Sequence, residues 1–475
     1  MTDHVLNTDY LVIGAGAAGM AFADELLTHS DATITIVDRR HAPGGHWIDA
    51  YPHVRLHQPS TFYGVSSTPL GTDSLDTAGS NADYYELAGA DEIRAYFEHL
   101  MTRRFLPSGR VRYFPNSEYL PDGRVVSRFR PGAIQVRSRR KLIDTTYLEG
   151  TIPATSPPPF ELADGTECIP AGAIARVAQR VEHFTIIGAG KTALDTCVWL
   201  LEQGTPADAI RWIKPREAWW LNRRFQQPHD LLPDNHRGMA IQLEAMAQAS
   251  TVADLFARLE AEGFFLRIDP DVTPTMLRGA VISEAEQALL RQIRDVVRLG
   301  HVRRIERDQI ILDEGRVATR PDTLHVHCAA RGLPRPPLRP IFEAGRVTVQ
   351  PFQWQFACCQ FAELGVVEAS IESDAEKNRL CPPIRYWSSP TDYLSAFLAA
   401  LGHQQARASH PVLAQWAQTT RLNPMSGIGR YRDQAQVIDN RRRIQQSAAA
   451  AATNLVRLVR ARTAEAQSRE TPTIA

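Results

Sequence analysis

Asp9-Tyr-Leu-Val-Ile-Gly14-Ala-Gly16-Ala-Ala-Gly19 decides the fold of this chain, read with Thr33-Ile-Thr-Ile-Val-Asp38 and Gly44-Gly45-His46-Trp47 downstream. Tyr10 to Ile13 is a short apolar run with the character of a buried strand. It breaks into Gly14-x-Gly16-x-x-Gly19, and Ala17 to Leu27 continues with helical character. Gly14 permits the tight turn, Gly16 lets a pyrophosphate approach the backbone, and Gly19 lets helix and strand pack closely. The helix N-terminus then faces the anion. A second strand, Thr33 to Val37, ends in Asp38, nineteen residues after Gly19. A carboxylate there accepts hydrogen bonds from a ribose 2′-hydroxyl and repels a 2′-phosphate, which selects FAD or NAD(H) over NADP(H).

A second turn of the same kind lies in His183-Phe-Thr-Ile-Ile-Gly188-Ala-Gly190-Lys191-Thr192-Ala193, with Ala193 in the third glycine position. Gly-Lys-Thr suggests a P-loop, but the first glycine of that motif would fall on Thr185, so the phosphate cradle fails. The strand that follows, Ala209 to Ile213, ends in Lys214-Pro-Arg216 rather than an acid. A cationic pair in that position suits a 2′-phosphate. The two turns therefore predict FAD or NAD(H) at the first site and NADPH at the second.

Gly44-Gly45-x-Trp47 followed by Tyr51-Pro-x-x-Arg55 resembles the GG-x-W…YP-x-x-R run of class B flavoprotein monooxygenases, with a gap one residue shorter. That family comprises the Baeyer–Villiger, flavin-containing and N-hydroxylating enzymes. The resemblance spans roughly residues 9 to 335 by motif. It implies that Gly45 and Trp47 cross the flavin ring and that Arg55 stands beside it. It also implies FAD reduced by NADPH, and one oxygen atom of O2 passed to a small organic substrate through a C4a-(hydro)peroxyflavin. His57 stands where Baeyer–Villiger enzymes carry Asp, so a histidine able to relay a proton near neutral pH replaces the carboxylate. Arg55 and His57 are the candidate catalytic residues. Gly14, Gly16, Gly19, Asp38, Gly45, Trp47, Gly188, Gly190, Lys191, Thr192, Lys214 and Arg216 are the candidate cofactor-binding residues. The subclass fingerprint F-x-G-x-x-x-H is missing from Thr151 to His183, and Gly150 to Pro153 matches only a loose G-x-x-P. The alternative is an NAD(P)H-dependent flavoprotein reductase or dehydrogenase that passes electrons to a non-oxygen acceptor.

The expected fold is α/β: two Rossmann-like dinucleotide-binding domains, the FAD domain discontinuous and the NADPH domain inserted in it. Residues 1–150 form the first part of the FAD domain. Residues 151–320 form the NADPH domain with a helical insertion at about 229–299, and 321–475 form the return and a helical C-terminal region. The 475 residues exceed one ordinary core. Lys plus Arg equals Asp plus Glu at 53 each, which argues against a nucleic-acid partner. No signal peptide and no apolar stretch of membrane-spanning length is visible, so a cytoplasmic protein is expected. Oligomeric state is not legible.

The six cysteines form no C-x-x-C, and vicinal Cys358-Cys359 would bridge only with strain. His41, His46, His53 and His57 lack metal-ligand spacing, because Pro52 and Pro59 break the helix that His53 and His57 would need. His325 and His327 share a strand face without a third ligand, so no metal is expected. Helical patterns recur at Met239–Ala249, Thr251–Gly263, Ser283–Val297, Ser395–Leu401, His410–Thr419 and Asn440–Ala464. The aromatics between Phe352 and Phe356 are candidate pocket walls.

Overall fold

The computed structural model describes residues 5–330, 332, 334–353 and 356–470, the side chains of 462–470 excepted. Trp354, within the aromatic stretch named above, lies outside the described residues. The chain opens with β1 (Val5–Ile13), α1 (Ala17–His29) and β2 (Ile34–Val37). Then follow α2 (Ala90–Leu100), β3 (Val111–Phe114), β4 (Ser117–Tyr119), β5 (Arg124–Ser127) and β6 (Ala133–Asp144). β7 (Glu161–Leu162) and β8 (Cys168–Pro170) lead into β9 (His183–Ile187), α3 (Lys191–Glu202), β10 (Ile210–Ile213) and β11 (Ala218–Asn222). Next come α4 (Leu232–Gln248), α5 (Val252–Ala261), β12 (Phe265–Leu266), β13 (Met276–Ile282), α6 (Glu284–Leu290) and β14 (Asp295–Val297). β15 (Val302–Ile305), β16 (Gln309–Leu312), β17 (Gly315–Ala318) and β18 (Thr323–His327) complete the middle of the chain. The return is β19 (Phe342–Glu343), β20 (Arg346–Thr348), α7 (Ala357–Ser370), α8 (Asp374–Leu380), α9 (Pro390–Ala408), α10 (Pro411–Thr419) and α11 (Ala435–Glu470).

Two doubly wound sheets organise these elements. The first runs β19-β20-β6-β1-β2-β3. It is parallel from β20 to β3, with the antiparallel β4–β5 pair hung on β6. Its strands come from both ends of the chain, so that domain is discontinuous. The second, β14-β10-β9-β18-β8, is parallel throughout and is made entirely from the intervening chain. A bridge between Thr151 and Gly332 ties the outgoing and returning crossings together. Parallel strands buried on both faces need continuous apolar runs. Ile34 to Val37 and Ile210, Trp212 and Ile213 supply them at 0–1% exposure. α1 packs its Phe22 and Leu26 into the first core, and Ile186, Leu194 and Trp212 centre the second.

β6 runs unbroken because its two halves both pair in parallel with β1, across an irregularity between Thr8 and Tyr10. Two local expectations change. The insertion is part sheet: β12-β11-β13 form their own three-stranded unit. The helix read as Ser283–Val297 stops at Leu290, and β14 returns to pair with β10. Pairing with a partner remote in sequence overrides local helical spacing there. Leu455 and Leu458 of α11 are buried in a third core with Ile241 and Met246 of α4, so that helix packs on the body. Among the described residues, no helix is long and apolar enough to cross a membrane.

Candidate functional site

Each glycine turn presents a helix whose first N–H groups have no side-chain cap. Gly16 starts α1 and Gly190 starts α3, both extended and both without a capping side chain or a first-turn acid. Such N-termini carry partial positive charge and free donors, which suits a pyrophosphate. At the first turn Gly14 adopts φ +103°, and its N–H donates to the Val37 carbonyl at 2.8 Å. Gly45, at φ +60°, lays its backbone against Gly16: a Cβ on Gly45 would come within 2.9 Å of the Gly16 Cα. The Gly44 N–H donates to the Ala15 carbonyl at 2.9 Å and closes this contact. Only bare backbone fits on either side. Trp47 is then fixed by its indole N–H, which donates to the Tyr63 hydroxyl at 2.6 Å.

Asp38 caps the turn from the end of β2. Its Oδ2 accepts from the Ala15 N–H at 2.6 Å and its Oδ1 from the Arg40 N–H at 2.7 Å. A carboxylate offers about four lone-pair directions, so acceptors remain for a ribose diol. This acceptor set fits the adenosine ribose of FAD and disfavours a 2′-phosphate.

At the second turn, Gly188 holds φ +147°, and a Cβ there would meet the Cys328 backbone at 3.1 Å. A Cβ on Gly190, by contrast, would meet nothing within 4 Å, so the ground before α3 is open to a pyrophosphate. The Tyr51 hydroxyl donates to Asp195 at 2.6 Å, and His53 stacks on Trp199 with ring centroids 4.9 Å apart. These contacts lock the loop after Trp47 onto α3. Thr192, in the first turn of α3, lies beside the Tyr51 hydroxyl and lowers a pKa that burial and then Asp195 raise well above the ordinary value. Lys191 pairs with Asp195 one helical turn on and faces Glu286 at 3.8 Å, while Glu286 also holds Arg223 at 2.8 Å. Arg223 is 1% exposed, and its Nε has no hydrogen-bond partner.

His57 faces this charged group. Burial first, then the charges of Lys191 and Arg223, push its pKa down to about 3. The expectation of a histidine titrating near neutrality is therefore corrected. His57 stays neutral and can accept or donate a hydrogen bond without changing charge. Its assigned imidazole resonances should stay flat from about pH 5 to pH 8, where a free histidine titrates. A midpoint near 6.5 in that titration would overturn this assignment.

Arg55 points outward, its side chain 58% exposed and, among the described residues, held by Asp76 alone at 3.3 Å. Such an exposed pair contributes little, and the arm is free to turn. Lys214 requires a second correction. Its side chain is 1% exposed, bonded to Glu217 at 2.6 Å and lying 4.2 Å from the Trp212 ring centroid. It faces inward, where its charge is taken up by the buried Glu217 carboxylate three residues on. Arg216 remains exposed at the end of β10, with no acidic partner among the described residues.

Sequence reasoning missed Asp195, Glu286 and the buried state of Arg223. Asp195 was legible as the i+4 partner of Lys191. Glu286 was legible only as the third helical residue of a Ser283-x-x-Glu cap, and its N-cap bond to Ser283 at 2.6 Å is present. Nothing local announced that the same carboxylate reaches two cations. Among the described residues no cluster of His, Cys, Asp or Glu could hold a metal ion.

Comparison with known proteins agrees with this architecture. Residues 12–64 match the NAD(P)-binding Rossmann-like domain family. The proteins Rv2000 of Mycobacterium tuberculosis (strain ATCC 25618 / H37Rv) and Mb2023 of Mycobacterium bovis (strain ATCC BAA-935 / AF2122/97) are each 42% identical over 427 residues. That span covers 89% of this chain and 79% of theirs. Among solved structures, cyclohexanone-bound cyclohexanone monooxygenase in its Rotated conformation superposes with a TM-score of 0.53 at 14% identity, covering 87% of this chain and 98% of that one. The open form of cyclohexanone monooxygenase gives 0.50 at 15% identity, covering 86% and 98%. The fold is that of the two-dinucleotide-domain monooxygenases.

Proposed function

We propose that this chain, which belongs to the same protein family as the mycobacterial proteins Rv2000 and Mb2023, is a FAD-dependent, NADPH-oxidising monooxygenase acting on a small organic substrate. The observation that carries the reading is the pair of uncapped glycine turns, clamped together by Tyr51 and Asp195, with an acid at the end of one strand and a free arginine at the end of the other. The fold shared with cyclohexanone monooxygenase supports it. When bound, FAD supplies a ring that takes hydride from NADPH and passes the electron pair on to oxygen. Asp38 holds the FAD ribose, the α1 N-terminus its pyrophosphate, and Trp47, fixed by Tyr63, packs beside the ring. The α3 N-terminus takes the nicotinamide pyrophosphate, and Arg216 the 2′-phosphate. Arg55, exposed and loosely held by Asp76, would supply a cation to the bound flavin, and neutral His57 would offer a hydrogen bond without adding charge.

A disulfide reductase is disfavoured by the thiols. Cys358 and Cys359 are buried, and burial pushes both well above the ordinary thiol range. A nucleophilic redox pair needs accessible, low-pKa sulfur.

Oxygen uptake decides between the readings. The FAD-loaded protein should consume O2 with NADPH in the presence of a turned-over substrate and give a product heavier by one oxygen atom drawn from labelled O2. Arg55→Ala should uncouple this, oxidising NADPH with release of hydrogen peroxide. Stoichiometric peroxide from the wild type with every substrate class, together with anaerobic turnover on an added electron acceptor, would establish the reductase instead.

A further inference from the structure

The end of β10 is crowded with cations that the fold treats in opposite ways. Arg298, like Lys214, is neutralised: it pairs with Asp269 at 2.6 Å and with Glu217 at 3.4 Å. Arg216 and Arg278 are both exposed, the Arg278 guanidinium half sunk in the surface, and neither has a carboxylate partner among the described residues. The Arg278 guanidinium is held below its usual value, by burial and then by the like charges of Arg216 and Arg335. Arg335 shares its charge with Asp392 at 2.8 Å. The backbone brings Arg216 and Arg278 together: the Thr275 and Met276 N–H groups at the start of β13 both donate at 3.1 Å to the carbonyl of Glu217, the residue after Arg216. They are thus neighbouring positive charges without a carboxylate among the described residues, a placement that favours an incoming anion.

The backbone places Arg278 there by a specific device. β11 and β13 run parallel with Ala218 opposite Met276 and Trp219 opposite Leu277, and then the register jumps to Leu221 opposite Val281. Three residues, Arg278 to Ala280, stand there against one, Trp220, so β13 carries a bulge of two extra residues, and bulges re-aim side chains beside functional sites. Gly279 makes the turn at φ +70°, and a Cβ there would come within 3.1 Å of the Trp387 indole, so the bulge is pinned against that ring. On the other side the Arg278 guanidinium lies beside Gly332, where a Cβ would stand in ordinary contact at 3.4 Å from an Nη atom.

We infer that Arg278, delivered by the bulge in β13, completes with Arg216 the seat of the nicotinamide cofactor's 2′-phosphate, in the role Lys214 forfeits by facing inward. The inference rests on the NADPH reading above. Two guanidinium forks match a phosphate monoester dianion, which accepts several charge-assisted hydrogen bonds at once. Because Arg278 comes from the inserted three-stranded unit, cofactor choice depends on a segment outside the nucleotide-binding sheet.

Calorimetric titration of the FAD-loaded protein with 2′,5′-ADP and with 5′-ADP tests this. Arg278→Ala should weaken 2′,5′-ADP by about tenfold to a hundredfold, the loss of one or two charge-assisted bonds, and leave 5′-ADP within about twofold. Arg278→Lys should recover part of the loss, since the charge returns without the fork. Flavin content and thermal midpoint should match the wild type in both variants. Equal weakening of the two nucleotides, or no weakening of either, in a protein that itself prefers 2′,5′-ADP would overturn the role of Arg278 alone. A wild type with no preference would overturn the NADPH reading beneath it.

Discussion

Gly16→Val should purify folded and colourless. Gly16 is the N-cap of α1, and a Cβ there already sits 3.3 Å from the Gly45 Cα. The two further methyl groups of valine must either displace the Gly44–Trp47 segment or fill the ground before the helix, where a pyrophosphate would lie. Neither outcome disturbs the strand–helix packing behind the turn, so secondary structure and the urea midpoint of the apoprotein should be those of the wild type. Gly19→Ala is the contrast. A Cβ at Gly19 drives into the Gly14 carbonyl oxygen and comes within 3.3 Å of the Val12 side chain, so it strikes the joint between β1 and α1. That variant should lose the fold of the first domain together with the flavin, because overpacking against backbone cannot relax through a rotamer change. Visible flavin absorbance per mole of protein, far-ultraviolet circular dichroism and urea melts separate the two. Stoichiometric flavin retained by Gly16→Val would remove the first turn from cofactor binding.

What was legible was what is contiguous. Both glycine turns write strand, turn and helix within about thirty residues, and the acid or cation that ends the following strand lies within reach of the same reading. Asp38 needed no tertiary information, since it bonds Ala15 of its own turn. Lys214 shows where such reading stops. Its charge and its place at a strand end were visible, but its direction is set by Glu217, and a sequence does not say which of two neighbouring cations, Lys214 or Arg216, a buried carboxylate will claim. His57 was visible as a departure from a motif. Its loss of titration comes from Lys191 and Arg223, 134 and 166 residues further along the chain, brought together by the docking of one domain on the other. Arg278 left no trace at all, because a bulge is a property of pairing, and the partner strand of β13 lies nearly sixty residues back.

Glu217→Ala should be among the most destabilising single substitutions in the second domain, although Glu217 touches no ligand. Lys214 is 1% and Glu217 2% exposed, and burial already draws the Lys214 pKa down, with Glu217 the main force holding it up. Removing the carboxylate leaves an ammonium in a dry site, a loss of about 3–5 kcal/mol when one partner of a buried pair is deleted. Arg298 is not stranded by the change, since Asp269 still holds it at 2.6 Å. Replacing both partners, Lys214→Met with Glu217→Leu, removes the charge along with its counter-charge and should cost little, because two apolar side chains of similar volume fill the same space. The pH dependence has a fixed sign. In Glu217→Ala the folded pKa of Lys214 falls further below its unfolded value, so the unfolded chain binds more protons. The variant's stability should therefore rise as the pH climbs from neutrality towards the ordinary lysine range of about 10.4, while the double variant shows no such recovery. Urea unfolding of all three apoproteins at two pH values measures this. A Glu217→Ala protein within about 1 kcal/mol of the wild type at neutral pH, an ordinary surface cost, would mean that Lys214 reaches solvent. It would then return to candidacy beside Arg216 as a hand for the 2′-phosphate.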